Sequence, residues 1–477
     1  MTDTYAATIN GTDALVSAHF DVINPANEQV IGHAPDCGAT ELDAAVAAAR
    51  AALPGWRSTP LAQRQAMVKA LAALLAEHKN SLMRLLTSEH GKPHADALGD
   101  VLGGAHWANA YADMDIPIEV TEDNAERRVE VRRVPIGVVG ALAPWNFPVM
   151  MAMMKAAPAL VAGNTVVLKP SPFTPLTTLR IGELARAIFP PGVLNVLSGG
   201  DALGPLMTEH PGIDKITFTG SSATGRRVMA SAALSLKRIT LELGGNDAAI
   251  VLPDVDVPAV AKQIFAAAFG NAGQICVAVK RLYVHADIYD QFAAALVALA
   301  RAATIGDGAE QGTRFGPIQN RQQFERLVNL IEDSKANGYA FLAGGEAMDR
   351  PGYFLPLTLV DNPPEHARIV QEEQFGPILP LLKFDDIDDV VARANDSIYG
   401  LGGSVWSADA DRALEIGSRL ETGNVWINQA QAMYAHSPFG GHKASGIGVE
   451  SSLEGLLAYT NAQTVAVRKA KPSPVTA

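Results

Sequence analysis

Short apolar segments alternate with helical patterns along the chain from residue 137 onward. The apolar segments and the helical patterns that follow them lie at 137–141 and 150–160, 165–168 and 176–188, 195–197, then 216–219 and 225–234. Parallel strands must be joined by a crossover, which is usually a helix. The alternation therefore predicts an α/β fold with a mostly parallel, doubly wound sheet.

A second series of apolar segments follows the first. Its members lie at 248–252, 281–285, 404–406 and 424–427. A chain of 477 residues is also too long to be organised around one hydrophobic core. Both observations predict a second α/β domain.

Two other patterns precede or interrupt these series. Helical patterns dominate from residue 40 to about 114, and Thr40 with Asp43 predicts the start of a first helix that Pro54-Gly55 ends. Residues 117–134 instead alternate apolar and charged side chains, which predicts an antiparallel ribbon with one solvated face. The last residues, 471–477, are predicted to be a frayed tail.

Composition excludes several classes of function. The net charge of −12 comes without a basic stripe, which argues against nucleic-acid or membrane partners. Two cysteines cannot form a disulfide framework, and no secretory signal is visible at the N-terminus. His90 and His94 lie four residues apart without a third ligand, so we expect a solvated helix face and no metal site. We expect a cytoplasmic enzyme.

Cys276 and Glu242 are the residues best suited to chemistry. Cys276 follows Gly270-Asn271-Ala272-Gly273-Gln274-Ile275, and Glu242 precedes Leu243-Gly244-Gly245. A thiolate can attack a carbonyl, and a separate carboxylate can then activate water to release the acyl group. Taken alone, Cys276 fits a buried structural cysteine equally well.

Four further segments carry candidate groups. Lys169 ends an apolar strand, where ligands of open parallel sheets bind. Residues 218–225 form a Gly-rich turn before a helix, which suits phosphate but is neither a P-loop nor G-x-G-x-x-G. Asn146 is an uncharged donor suited to an oxyanion, or an Asx turn before Pro148. The pair Glu373 and Phe375 could hold a ribose and a flat ring, or be a surface carboxylate beside a core aromatic.

Together, in this order and spacing, these segments resemble the aldehyde dehydrogenase superfamily over nearly the whole chain, from residues 21–25 to 437–446. The resemblance implies a Rossmann-like NAD(P)-binding domain (1–116 and 135–242), a catalytic domain (243–428) and an oligomerisation arm (117–134 and 455–470). It implies a homodimer or homotetramer, and oxidation of an aldehyde to the acid through a cysteine thioester.

The resemblance also implies roles for individual residues. Cys276 is the nucleophile, Asn146 and the Cys276 N–H hold the oxyanion, Glu242 is the base, and Lys155 supports the catalytic centre. The expected NAD or NADP contacts are Lys169, Ser171, Trp145, Gly199, Gly220, Ser221, Gly244, Glu373 and Phe375. The expected substrate pocket is formed by Phe147, Met151, Met154, Ile275, Val277, Met433 and Phe439.

Two departures from the family pattern and the character of the pocket refine these expectations. Pro172 stands where NAD-preferring members carry the glutamate that binds the adenosine ribose, so NAD and NADP both remain open. Gly446-Ile447-Gly448-Val449-Glu450 is the second departure, because Gly-Arg-Glu is more usual there, and the sequence offers no functional account of it. The expected pocket is apolar and has no arginine, which favours an aliphatic or aromatic aldehyde.

A CoA-acylating or semialdehyde-specific enzyme, or a non-catalytic member of the fold, is the alternative; Glu242 argues against CoA acylation.

Overall fold

The structure is a computed structural model that describes residues 3–469 of the chain. The predicted tail at 471–477 and residue 470 of the predicted arm lie outside the described residues. Within residues 3–469 the helices are α1 (Ala39–Ser58), α2 (Leu61–Glu77), α3 (Lys79–His90), α4 (His94–Ala112), α5 (Pro148–Val161), α6 (Leu176–Ala185), α7 (Leu203–Glu209), α8 (Ser222–Ala233), α9 (Val257–Phe269), α10 (Tyr289–Arg301), α11 (Arg321–Ala336), α12 (Arg368–Gln371), α13 (Ile387–Asn395), α14 (Ala410–Gly417) and α15 (Ser452–Leu457). The strands are β1 (Asp3–Thr4), β2 (Thr8–Ile9), β3 (Thr12–Asp13), β4 (His19–Ile23), β5 (Val30–Pro35), β6 (Glu119–Asp123), β7 (Arg127–Pro135), β8 (Val138–Leu142), β9 (Thr165–Lys169), β10 (Leu194–Val196), β11 (Lys215–Thr219), β12 (Arg238–Glu242), β13 (Asp247–Val251), β14 (Val279–His285), β15 (Ala340–Ala343), β16 (Thr358–Asp361), β17 (Ile378–Phe384), β18 (Tyr399–Gly400), β19 (Gly402–Trp406), β20 (Asn424–Ile427), β21 (His442–Lys443), β22 (Gly446–Ile447) and β23 (Thr460–Arg468).

The first large sheet has the strand order β22-β12-β11-β8-β9-β10-β2-β3. Its five central strands, from β12 to β10, run parallel. Strands β22 and β2 pair antiparallel with β12 and β10, and β3 pairs antiparallel with β2. Strands β8, β9 and β11 are buried along their whole length, as expected for parallel strands covered on both faces. The doubly wound sheet predicted from the sequence is confirmed.

The second large sheet has the order β15-β16-β17-β14-β13-β19-β20 and is parallel except at β15. The four apolar segments of the second predicted series are its strands β13, β14, β19 and β20. Residues 243–246 lead directly from β12 in the first sheet to β13 in the second. The two sheets are therefore adjacent in space as well as in sequence.

Ser445 joins the two sheets at this connection. Its carbonyl accepts a hydrogen bond from Leu243 N at 2.8 Å. Its hydroxyl accepts one from Gly400 N at 2.9 Å and donates one to the Gly244 carbonyl at 2.6 Å. The chain near its C-terminal end thus ties the first sheet to the second.

The ribbon predicted at 117–134 is β6 and β7, which pair with each other and with β23 in a three-stranded antiparallel sheet. Its charged side chains pair within the ribbon: Arg127 with Glu122 at 2.9 Å, and Arg128 with Asp123 at 2.9 Å. The smaller β1-β5-β4 sheet and the β18-β21 pair complete the strands of residues 3–469.

The predicted end of the first helix is wrong. Helix α1 begins after Gly38 and continues through Pro54 to Ser58. The last turn places Trp56 in the core, where its ring packs edge-on against Phe189 with centroids 6.0 Å apart. Tertiary packing of a large aromatic side chain here outweighs the local cost of proline inside a helix.

Strand register aligns the candidate residues at one edge of the first sheet. Lys169, the last residue of β9, lies opposite Leu142 at the end of β8. Glu242, the last residue of β12, lies opposite Thr219 at the end of β11. The carboxyl ends of these strands open on a common crevice, the usual ligand position in open α/β sheets.

Candidate active site

A large cavity fills this crevice and extends to the second sheet. Its volume is about 1280 Å³, above the roughly 300–1,000 Å³ of ordinary ligand pockets. The first sheet contributes Lys169 and Glu242 to its lining, and the segments attached to the second sheet contribute Cys276 and Phe375. The structure therefore brings together candidate residues that are far apart in the sequence.

The turn before Cys276 is strained. Asn271, Ala272 and Gly273 have φ values of +50°, +54° and +73°, in the left-handed region. Glycine tolerates this conformation and asparagine does so in part, but for alanine it costs about 1–2 kcal/mol. The turn places Cys276 at the cavity wall with a partly exposed side chain. Such strain is typical of functional turns.

Asn146 is buried and bonded to the cysteine turn. Its Nδ2 donates to the Gln274 carbonyl at 3.0 Å, and Asn271 Nδ2 donates to the Asn146 carbonyl at 3.2 Å. An amide nitrogen carries two hydrogens, so one donor of Asn146 remains available. Within residues 3–469 the Cys276 N–H has no protein acceptor. Two donors are thus available beside the thiol.

Lys92 holds the backbone of Asn146 in place. Its ammonium donates to the Asn146 carbonyl at 2.7 Å and to Asp100 Oδ2 at 3.1 Å, and both side chains are fully buried. The same ammonium lies 4.3 Å from the centre of the Phe147 ring. Sequence reasoning missed Lys92, because no local pattern links it to a residue 54 positions away.

Glu242 is buried, and neither of its carboxylate oxygens has a protein partner within residues 3–469. Burial, and secondly the charge of Glu450, raises its pKa to about 8. Lys155 acts in the opposite direction. A carboxyl group with a pKa near neutrality that lines a cavity is suited to general-base chemistry.

Lys155 does not line the cavity. Its ammonium lies 2.6 Å from Glu450 Oε1 and 3.5 Å from Thr217 Oγ1, and Glu450 does line the cavity beside Glu242. Lys155 therefore contacts one cavity-lining carboxylate, Glu450, and acts on Glu242 only through its charge. No role for Glu450 could be predicted from the sequence, because its contacts come from distant segments.

One end of the cavity combines basic and polar groups. The Lys169 ammonium is bonded only to the Pro170 carbonyl, at 3.3 Å, within the described residues, and burial lowers its pKa to about 8. Ser171, Gly220 and Ser221 line the same cavity. Ser221 caps helix α8, and its hydroxyl accepts from Thr224 N at 3.2 Å. A helix N-terminus facing a cavity favours a phosphate there.

Glu373, Phe375 and Trp145 form the middle of the cavity wall. The Phe375 and Trp145 rings meet edge to face with centroids 5.3 Å apart. Helix α11 fixes the segment: Arg326 donates to the Glu373 carbonyl at 2.6 Å, and Gln323 to the Phe375 carbonyl at 3.0 Å. Helix α11 thus holds this segment through its backbone carbonyls and does not bond to the side chains of Glu373 and Phe375.

Gly244 and Gly245 allow this segment to approach. A Cβ on Gly244 would lie 2.3 Å from Glu373 Oε2, and one on Gly245 would lie 2.7 Å from the Cys276 carbonyl oxygen. Gly245 N also donates to Glu373 Oε1 at 3.0 Å. Gly245 is therefore required by close approach of the Cys276 backbone, whereas Gly244 leaves room for the Glu373 carboxylate and itself lines the cavity.

Most residues of the predicted substrate pocket share one wall of the cavity. They are Phe147, Met151, Ile275, Val277, Met433 and Phe439. Met154 is not among them: it lies three residues after Met151 on α5 and is buried in the hydrophobic core around that helix. Its predicted place in the pocket is wrong.

Gly199 also lies outside the cavity lining, whereas its neighbour Gly200 is one of the lining residues. A Cβ on Gly199 would lie 2.9 Å from the Cys37 carbonyl oxygen, so this glycine serves a backbone contact. The expected solvated face of His90 is wrong as well, because the ring is fully buried 6.2 Å from the Trp145 ring.

The arrangement fits a dinucleotide. Lys169 and the N-terminus of α8 could hold its ribose and pyrophosphate, and Glu373 with Phe375 could hold its nicotinamide half near Cys276. The volume leaves room for a second, apolar molecule beside the thiol. Fold and cavity together define a dinucleotide-dependent α/β oxidoreductase.

Comparison with known proteins gives the family. The sequence profile of the aldehyde dehydrogenase family matches residues 13–465. The NADP+-dependent succinate-semialdehyde dehydrogenase of Escherichia coli K12 is 40% identical over 460 residues, covering 95% of each chain. An aldehyde dehydrogenase of a Fusarium species is 40% identical over 449 residues, covering 94% of this chain and 95% of that one.

Solved structures agree. The NAD+ complex of an aldehyde dehydrogenase from Bacillus cereus has a TM-score of 0.95 at 36% identity, covering 98% of this chain and 96% of that one. An NADP-dependent enzyme from E. coli has a TM-score of 0.95 at 38% identity, covering 98% of each. The chain belongs to the aldehyde dehydrogenase family, and it is an NAD(P)-dependent enzyme that acts on small-molecule aldehydes. Within residues 3–469 no helix is long and apolar enough to span a membrane.

Proposed function

We propose that this enzyme oxidises apolar aliphatic or aromatic aldehydes to carboxylic acids through a thioester on Cys276. The observation that carries the proposal is the common cavity of Cys276 and Glu242, in which Glu242 has two unpaired carboxylate oxygens. An unpaired, buried base beside a partly exposed thiol fits hydrolysis of an acyl-enzyme. The same base argues against transfer of the acyl group to CoA.

In this proposal the Cys276 thiolate attacks the aldehyde carbon. The free N–H of Asn146 and the Cys276 backbone N–H stabilise the oxygen that becomes negative. Loss of hydride from the substrate carbon, for which NAD(P)+ would be the acceptor, re-forms the carbonyl and leaves a thioester on Cys276. Glu242 then removes a proton from water, which attacks the thioester carbonyl; the carboxylic acid leaves and the thiolate is restored.

We assign cofactor binding to Lys169, Ser171, Trp145, Gly220, Ser221, Gly244, Glu373 and Phe375. Lys169 contributes a positive charge where a ribose would lie, and α8 contributes the positive end of a helix dipole to the pyrophosphate. Glu373 is suited to accept from the nicotinamide ribose. Trp145 and Phe375 provide flat apolar surface next to it.

The apolar substrate class rests on the wall around Cys276. The lining residues of segments 142–151, 275–277 and 431–439 include no lysine or arginine. A carboxylated semialdehyde would therefore bury its charge without a partner, which is costly. The E. coli relative is named for succinate semialdehyde, so substrate choice is a point on which the two enzymes are expected to differ.

Cofactor choice rests on Pro172, which lines the cavity two residues after Pro170. A glutamate at that position would bind the ribose hydroxyls and repel a 2′-phosphate. With proline there, we propose that the enzyme accepts NADP+ as well as NAD+. The comparisons include relatives of both kinds.

We also propose that the chain has the three parts implied by the resemblance (cofactor-binding domain, catalytic domain and oligomerisation arm) and that it forms an oligomer. The sheet β23-β7-β6 leaves apolar side chains exposed, including Ile118 near its start, Val120 and Val467. Such a surface suits burial against a second copy, in a homodimer or homotetramer. Light scattering of the purified chain measures the mass of the particle.

A panel of aldehydes, each assayed with NAD+ and with NADP+, tests the proposal. Apolar aldehydes are expected to give higher kcat/KM than succinate semialdehyde, with both cofactors active. A Cys276→Ala enzyme serves as the control for thiol-dependent turnover. Preference for the carboxylated substrate would contradict the substrate class and leave the chemistry standing.

A further inference from the structure

Lys280 lies beneath the cysteine turn and is buried. It belongs to the first residues of β14, four positions after Cys276. Its side chain turns back toward the residues it follows: the ammonium donates to the Cys276 carbonyl at 2.6 Å and to the Ile275 carbonyl at 2.9 Å. The Ile275 carbonyl belongs to the peptide unit that carries the Cys276 N–H, and the Cys276 carbonyl belongs to the next unit.

The same ammonium reaches the cofactor side of the cavity. It lies 3.7 Å from Glu373 Oε1 and 6.0 Å from the centre of the Phe375 ring. Glu373 Oε1 is also held by Gly245 N at 3.0 Å. One cation therefore contacts both the turn of the proposed nucleophile and the segment proposed to hold the nicotinamide half.

The charges around Cys276 make this cation important. Burial raises the pKa of the thiol, and Glu242, Asp247 and Glu373 raise it further, whereas Lys280 lowers it. The carboxylates come from three elements: β12, β13 and the segment before β17. Without Lys280, a thiolate would have to form in a buried site among carboxylates.

The other cations near Cys276 bond to other partners, so they do not supply the positive charge next to its backbone. Arg326 bonds to backbone carbonyls of the Glu373 segment, and Arg281 bonds to the Asn246 carbonyl at 2.9 Å. Lys155 is paired with Glu450. Each of these cations has its own partners, and Lys280 is the one whose ammonium touches the Cys276 backbone.

We propose that Lys280 is a positioning residue that fixes the peptide unit of Cys276, supplies the positive charge that allows its thiolate to form, and couples it to Glu373. This inference rests on the proposed role of Cys276 as nucleophile. It adds a residue that orients both halves of the site and does not contact the substrate.

The test uses the full-length enzyme with Cys37→Ala, so that Cys276 is the only thiol. The rate of alkylation by iodoacetamide is measured against pH in Lys280→Met, Lys280→Gln and Lys280→Arg. The matched control is Lys262→Met, an exposed lysine on α9. Binding of NADH to each variant is followed by its fluorescence.

Removal of the charge is expected to move the midpoint of the alkylation curve upward by about one pH unit, so that alkylation below the midpoint slows about tenfold. NADH is expected to bind several-fold more weakly, because Glu373 loses its cationic neighbour. Lys280→Arg should restore most of the pH profile, and Lys262→Met should not change it.

Lys280→Gln keeps a donor for the carbonyls and remains informative if Lys280→Met does not fold. A wild-type alkylation midpoint in folded Lys280→Gln would overturn the charge role. Wild-type NADH affinity in the same variant would overturn the coupling to Glu373. Failure of the nucleophile assignment is distinguishable, because Cys276→Ala would then retain dehydrogenase turnover.

Discussion

The Lys155 ammonium lies 2.6 Å from Glu450 Oε1, while Glu450 Oε2 has no protein partner within residues 3–469. This buried ion pair lies next to Glu242, and its two members act oppositely on the Glu242 carboxyl: Glu450 raises its pKa and Lys155 lowers it. Burial is the main cause of the raised pKa of Glu242, and the ion pair adjusts that pKa in both directions.

Glu450→Gln removes the negative member of the pair. We expect the pKa of Glu242 to fall, so that the alkaline rise of kcat moves to lower pH. The measurement is a pH profile of turnover, with exposed Glu454→Gln on α15 as the matched control. An unshifted profile would contradict the electrostatic coupling of Glu450 to Glu242.

Lys155→Met leaves the Glu450 carboxylate buried without its partner. Breaking a buried pair in this way typically costs about 3–5 kcal/mol of unfolding free energy. Denaturant unfolding of the variant measures the loss. A double variant with Glu450→Leu should recover part of it, because no charge is then left unpaired; if the double variant is as unstable as Lys155→Met, the ion pair is not the cause.

Glu242→Gln should separate the two chemical steps. Because the proposed base acts after acyl transfer, a first turnover of NAD(P)H is expected to remain while steady-state turnover falls by orders of magnitude. Stopped-flow absorbance resolves the burst. Loss of the burst together with the steady state would place Glu242 in the earlier step.

The same variant makes a prediction about stability. The folded pKa of Glu242 is about 8, above its ordinary value of 4.5. The folded state thus favours the protonated form, so its contribution to stability is fully present below about pH 4.5 and is lost as pH rises through 8. Relative to the wild type, Glu242→Gln should melt at a similar temperature at pH 4 and at a higher temperature at pH 9. Calorimetry at both pH values measures the difference.

Asn146→Ala should lower kcat about 10²–10³-fold, the usual cost of one oxyanion donor. Asn271 Nδ2 still donates to the Gln274 carbonyl at 3.3 Å, so the cysteine turn should keep its shape. Asn146→Asp should be at least as slow, because a carboxylate repels the developing oxyanion. Turnover at the wild-type level in Asn146→Ala would remove the assignment.

Pro172→Glu should shift the ratio of kcat/KM for NAD+ over NADP+ toward NAD+ by tenfold or more, which is about 1.4 kcal/mol. The new carboxylate would bind ribose hydroxyls and repel a 2′-phosphate. Pro172→Ala is the matched control, since it removes proline without adding charge. Equal ratios in the two variants would mean that this position does not select the cofactor.

The sequence predicted the elements whose signal is local. Continuous apolar strands such as β9 and the alternating pattern of β7 can be identified from a few residues, and both are confirmed. The end of α1 could not be found in this way, because the burial of Trp56 against a distant Phe189 decides it. Strands β16 and β17 were not among the predicted segments, although they lie inside the second sheet.

The same contrast between local patterns and long-range contacts applies to the residues of the cavity. Cys276, Glu242 and Lys169 stand in recognisable local motifs and all line it. Lys92 and Glu450 reach it through contacts across 54 and 295 residues, so no local pattern marks them. Met154 was placed in the pocket by the family resemblance, whereas in this chain its side chain is buried in the core and does not line the cavity.

The hydrogen bonds that Ser445 makes to Leu243, Gly244 and Gly400 have a consequence for how the enzyme folds during synthesis. A chain still attached to the ribosome at residue 430 already contains the strands of the second sheet and the central strands of the first. It lacks the hydroxyl that bonds to Gly400 and Gly244, and the strand β22 that pairs with Glu242. The two halves can fold in order of synthesis, but their joint closes last. We therefore expect assembly of the cavity to be a late event in biosynthesis, because a chain that ends at residue 430 carries the Cys276 thiol but lacks Met433, Phe439 and Glu450 of the cavity wall.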